Sequence, residues 1–142
     1  MAKYKEEIKN NKKIHFSIGA LIQKGDKFLL IDRVEPPFGF AGIAGHIDEG
    51  ENENEALIRE VKEESNLDIL SSKLIFEEEV LWNWCGRGGD SHYWYLFKCE
   101  ITGEMKQEKD EEKSIGWYSI EEIKKLKLEP VWEYWFKKLN LI

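Results

Sequence analysis

Several features that commit a chain to a function are scarce in this 142-residue sequence. It has two cysteines, three prolines and 21 basic residues against 28 acidic ones. Cys85 and Cys99 share no paired spacing. Neither a disulfide framework nor a cysteine metal site is therefore expected, and the compartment reads as reducing and cytoplasmic. No run approaches the ~18 apolar residues of a membrane helix, and the polar start MAKYKEEIKNNKK has no apolar signal core, so no membrane partner is expected. A net charge of −7 lacks the basic face that nucleic-acid phosphates require. Repeats, low-complexity linkers, a Walker loop, and Ser-His-Asp or Cys-His signatures are also missing. Residues 1–142 read as one domain, with 1–12 polar and free to fray or to form a short edge element.

Aromatics are plentiful: six Trp, five Tyr and seven Phe give bulk to a core. Alternation over 15–22 predicts a strand, Gly25-Asp26 a turn, and the apolar run 28–31 a buried partner strand. Asn52 with Glu55 forms a capping-box pattern opening a helix to Ser65, and Asn66 suits its left-handed stop. Strands are expected at 74–84, 92–101 and 114–118. Ser119 with Glu122 caps a short helix, and Pro130 starts a last one carrying Trp132, Trp135, Phe136 and Leu139. The order predicts an α+β fold, a mixed sheet with helices packed on it.

On a helical wheel with Leu57 at zero, Val61 falls at about 40° and Ile58 at about 100°, an apolar stripe. Glu63, Glu60, Glu53 and Glu64 fall at about 240° to 340°, beside that stripe, with small Ala56 among them leaving space. Carboxylates crowded on one half-buried face repel one another unless a cation neutralises them. All-oxygen donors suit Mg²⁺ or Mn²⁺. Arg59 flanks the stripe and can pair with Glu55 or Glu63, orienting ligands from behind.

The stretch from Gly45 to Leu67 resembles the Nudix box: Gly, five residues, Glu, seven residues, then Arg-Glu-apolar-x-Glu-Glu-x-Gly-apolar. It matches at Gly45, Glu51, Arg59, Glu60, Val61, Glu63, Glu64 and Leu67, and departs only in having Asn66 for the last glycine. The resemblance implies the family's α/β/α sandwich, with the glutamate-rich helix on one side of a mixed sheet and C-terminal helices beyond. It implies hydrolysis of a nucleoside diphosphate linked to another moiety, with Mg²⁺ or Mn²⁺. By position, Glu60 and Glu64 would be the main metal ligands, Glu63 a ligand or polarising neighbour, and the Ala44 carbonyl a backbone ligand. Arg59, Glu51 and Gly45 would support them. A further acid from outside the box, Glu112 or Glu111 ahead of Glu108 and Asp110, would serve as ligand or base.

The partner expected is a small nucleotide. Arg87 and Arg33 are candidate phosphate contacts, and an outward aromatic from Trp82, Trp84, Tyr93, Trp94 or Tyr95 could stack a base. His46, inside the box, is expected to be structural, while His15 and His92 lie on strands without an expected function. Two other readings stay open: a nucleotide-sensing module of the same fold without turnover, and an isopentenyl-diphosphate isomerase-like enzyme, for which no catalytic cysteine is evident.

Overall fold

Alternation along 12–24 gives one strand two usable faces, and that strand is central in the computed structural model, which describes residues 4–82, 89–107 and 112–142. The strands are β1 (Glu6–Lys9), β2 (Lys12–Lys24), β3 (Lys27–Arg33), β4 (Phe40–Ala41), β5 (Ile43–His46), β6 (Asp68–Val80), β7 (Ser91–Thr102) and β8 (Glu112–Ser119). Between and after them lie α1 (Glu53–Ser65), α2 (Ile120–Ile123) and α3 (Pro130–Lys138). The sheet runs β4-β3-β2-β7-β6, with β1 and β5 also pairing β2, and β8 pairing β3. β2 and β7 are parallel while the other pairs are antiparallel, so the sheet is mixed.

Each face buries a helix. Phe16, Ile18, Ala20 and Ile22 pack with Ala56, Leu57 and Val61 of α1. On the opposite face Leu21, Trp94 and Leu96 pack with Val131, Trp132, Trp135 and Phe136 of α3. A Cβ on Gly42 would overlap the Trp132 ring, so the missing side chain is what lets α3 seat. No helix among the described residues is long and apolar enough to cross a membrane.

Three expectations change, and one pair of alternatives is decided. Residues 4–12 take the short edge-element form instead of fraying: Asn10 and Asn11 both take positive φ, forming a tight two-residue turn that pairs β1 with β2. Tyr4 bridges to Asp48, and the Lys5 N–H donates to the Ile47 carbonyl at 2.8 Å. β6 begins at Asp68 rather than 74 and ends at Val80, with 81–82 in a turn, so Trp82 is not on a strand. As an edge strand it exposes residues such as Leu70, which hides the alternation. Ile58 is exposed and Ala56 fully buried, so Ala56 fills the helix–sheet contact instead of leaving space.

Candidate active site

α1 is set at both ends by local chemistry. The Glu55 N–H donates to Asn52 Oδ1 at 2.9 Å, and the Asn52 N–H donates to Glu55 Oε1 at 3.0 Å. At the other end Asn66 takes φ +67, and its Nδ2 donates to the Glu104 carbonyl at 3.1 Å. Asparagine there meets the backbone requirement that the family pattern gives to glycine.

Arg59 organises the space between α1 and the β5 loop. Its Nε and Nη2 donate to the two oxygens of Glu51 at 2.8 and 2.9 Å, a bidentate fork. Nη2 also donates to the His46 carbonyl at 3.0 Å, and Nη1 donates to Glu60 Oε1 at 2.7 Å. Asp48 and Glu63 lie at 3.5 and 3.6 Å from the guanidinium. The Asp48 N–H donates to Glu51 Oε1 at 3.0 Å, bracing that carboxylate from the loop side. The Arg59 guanidinium holds Glu51 below the usual carboxylate range, and Glu51 in turn pushes the pKa of Arg59 further up. The expected Glu55 partner is instead used in the N-cap, and Glu63 is the longest of these pairs.

Glu60 and Glu64 are 7% and 6% exposed, whereas the Glu63 side chain is 41% exposed. Burying two carboxylates is expensive unless a counter-charge meets them. Gly45 creates the room: a Cβ there would fall on the Glu60 carboxylate itself. The Ala44 carbonyl belongs to the same strand, with Ala44 opposite Gly19. As the side chains stand, no group of three or more His, Cys, Asp or Glu among the described residues is arranged to hold an ion. Glu60 turns its Oε1 toward Arg59 instead. The donors are all oxygen, two of them buried, which is the chemistry a hard divalent cation takes.

The other expected residues scatter. The Arg33 Nε donates to the Pro37 carbonyl at 3.0 Å, and Arg33 faces buried Glu129, whose pKa burial raises. Glu112 opens β8, with its backbone opposite Arg33. Trp94 is 5% exposed and belongs to the core, so it is not an outward stacking surface. Trp82 is 53% exposed and meets the Tyr134 ring edge-on. Tyr93 and Tyr95 are partly exposed, and the Tyr93 hydroxyl donates to Glu77 at 2.7 Å. Trp84, Arg87, Glu108, Asp110 and Glu111 lie outside the described residues. Sequence reasoning missed a gathering of His15, His46 and His92, which are distant in the chain, and the buried Glu129. His15 and Ser17 alternating on the polar face of β2 were the only sequence signal of that gathering.

The Nudix domain profile matches residues 13–139. Nudix hydrolase 1 of Caenorhabditis elegans is 34% identical over 88 residues, which are 61% of this chain and 22% of that protein, so the chain spans under a quarter of that relative's length. The MutT protein of Bacillus halodurans superposes with a TM-score of 0.72 at 20% identity, over 87% of this chain and 80% of that one. The Nudix domain of Shewanella oneidensis NrtR, solved with ADP ribose, gives 0.73 at 13% identity over 88% and 85%. With the box residues converging as described, the profile match over most of its length places the chain in the Nudix family.

Proposed function

We propose that the chain is a divalent-metal-dependent pyrophosphohydrolase acting on a nucleoside diphosphate joined to another moiety. One observation carries this reading. Glu60 and Glu64 stand on a single helical turn, more than nine-tenths buried, with the Glu60 carboxylate in space left by Gly45. Glu60 and Glu64 would hold Mg²⁺ or Mn²⁺, with Glu63 and the Ala44 carbonyl completing the set. When bound, the ion supplies Lewis acidity to phosphoryl oxygens and to an attacking water. The chain's own work is positioning. Glu51 holds Arg59, and Arg59 holds Glu60 and the His46 carbonyl, so the carboxylates and the β5 loop keep one spacing. Glu112, or Glu111, is the candidate base from outside the box.

A net charge of −7 fits a protein that recruits its positive charge as cations. Nucleotide conjugates such as ADP-ribose are the first class to test, because a domain of this fold binds one. Cys99, the cysteine among the described residues, is buried, which pushes its thiol up to about 12 and makes it a poor match for the acid–base cysteine an isomerase reading needs.

The test is hydrolysis of nucleoside triphosphates, nucleotide sugars and ADP-ribose with Mg²⁺, followed by phosphate release after a coupling phosphatase. Glu60→Gln and Glu64→Gln should each lower turnover at least about 100-fold while the fold survives, since each removes charge rather than packing volume. Wild-type turnover in both variants would reject this helix as the catalytic one.

A further inference from the structure

His15, His46 and His92 are all the histidines of the chain, and they meet from β2, β5 and β7. Ring centroids are 5.2 Å apart for His46 and His92, 5.3 Å for His15 and His46, and 6.5 Å for His15 and His92. His15 Nε2 lies 2.9 Å from Glu6, and Tyr4 stacks on His46 at 4.3 Å. His92 differs from its neighbours. It is 8% exposed, its Nδ1 lies 2.8 Å from the Ser17 hydroxyl, and its Nε2 has no hydrogen-bond partner among the described residues. Buried polar atoms are nearly always satisfied, so an open one points to a group the protein itself does not supply.

The cluster lies across β5 from the acidic site and adjoins it through the box loop. His46 follows Gly45, and its carbonyl takes the Arg59 hydrogen bond. His46 and Tyr4 are only partly buried, so this ring cluster reaches from the surface to His92. Trp94 stacks on the other side of His92, at 5.8 Å and 23°. Burial, with His15 nearby, pushes the pKa of His92 down to about 4, so the ring is neutral at pH 7. A neutral ring between flat rings offers one hydrogen bond and no charge for a further phosphate.

We infer that His92 is a specificity-determining residue whose Nε2 hydrogen-bonds a neutral group, a hydroxyl or a heterocycle edge, on the moiety attached to the diphosphate. This rests on the pyrophosphohydrolase reading. The experiment compares wild type, His92→Phe and His92→Gln on three substrate types with Mg²⁺. These are the nucleotide turned over best, its deoxy analogues, and a methyl ester of the same phosphate chain that lacks sugar and base. His92→Phe should lower kcat/KM for the nucleotide roughly 5- to 150-fold and leave the methyl ester unchanged. His92→Gln keeps a neutral donor and acceptor and should recover part of the loss. A deoxy analogue on which wild type and His92→Phe turn over alike identifies a sugar hydroxyl. A difference kept by every deoxy analogue identifies the base edge. Equal losses on nucleotide and methyl ester, or no loss on either, overturn the inference. If His92→Phe does not fold, Ser17→Ala, which releases the ring, replaces it in the same comparison. If wild type hydrolyses nothing, the pyrophosphohydrolase reading fails. The imidazole ¹⁵N signal of His92 is then followed with millimolar ADP-ribose and Ca²⁺, and a still signal overturns this inference as well.

Discussion

Gly45 lacks a side chain, and the Glu60 carboxylate occupies the space. Gly45→Ala should therefore act as a ligand mutation made on a neighbouring strand. Overpacking there costs on the order of 1–3 kcal/mol of stability. The displaced carboxylate should lower turnover at least about 100-fold, as Glu60→Gln does. Turnover and melting temperature measured together check this, and full activity in Gly45→Ala would show that Glu60 has another way to sit. His92 gives a second test, through pH. Its pKa falls from 6.5 to about 4 on folding, so folding favours the neutral ring. That contribution is complete above the unfolded value and lost as pH drops toward the folded one, about 2 kcal/mol by pH 5. Glu51 also has a lowered value, but its loss begins only below 4.5, outside this window. Denaturant unfolding at pH 7 and pH 5 should show wild type losing about 2 kcal/mol more than His92→Gln. Equal losses in the two proteins would mean the ring is not held neutral by burial.

Elements were legible in the sequence where their determinants lie within a few residues of each other. Both capping boxes, Asn52 with Glu55 and Ser119 with Glu122, form as the spacing implies, because each is a contact across three residues. The left-handed stop at Asn66 is equally local. The faces of α1 were less legible. A wheel orders residues around an axis, but the sheet decides which arc is covered, and it covers Ala56, Leu57 and Val61 while leaving Ile58 56% exposed. β6 was foreshortened for a related reason, since an edge strand needs no apolar alternation on its open side. The alternation of His15 and Ser17 hinted at a polar patch, but the cluster itself was not legible, because strand pairing alone brings positions 15, 46 and 92 together. The contrast on α1 is testable. Leu57→Ala should cost about 2–5 kcal/mol. Ile58→Ala should stay within about 0.5 kcal/mol of wild type, as exposed positions do. Comparable losses at both positions in denaturant unfolding would mean the helix packs on a different arc.

At the scale of the whole molecule, β5 is the strand shared by two faces. Alternation turns Gly45 toward α1 and its carboxylates, and turns His46 toward the histidine cluster on the opposite face. The box loop thus joins an acidic site to a neutral, aromatic one across a single strand, and Arg59 braces it through the His46 carbonyl. The two sides differ in what they lack. The histidine side carries the open Nε2 of His92, while the acidic side carries Glu51, Glu60, Glu63 and Asp48 around one guanidinium, with Glu64 buried one helical turn beyond Glu60. A single positive charge cannot balance that many carboxylates, and the chain as a whole adds −7 to the imbalance. A cation that binds the folded site and not the unfolded chain must therefore stabilise the protein by mass action. At about 100 times its dissociation constant, Mn²⁺ should add about 2.7 kcal/mol, or roughly 8 °C of melting temperature for a domain of this size. Glu60→Gln should lose at least about half of that shift, because it removes one charge and one ligand oxygen from the set. Matched ionic strength from KCl separates site binding from general screening and should give little of the rise. A melting curve indifferent to millimolar Mn²⁺ would show that the folded carboxylates bind no ion, and the metal-dependent reading would fall with it.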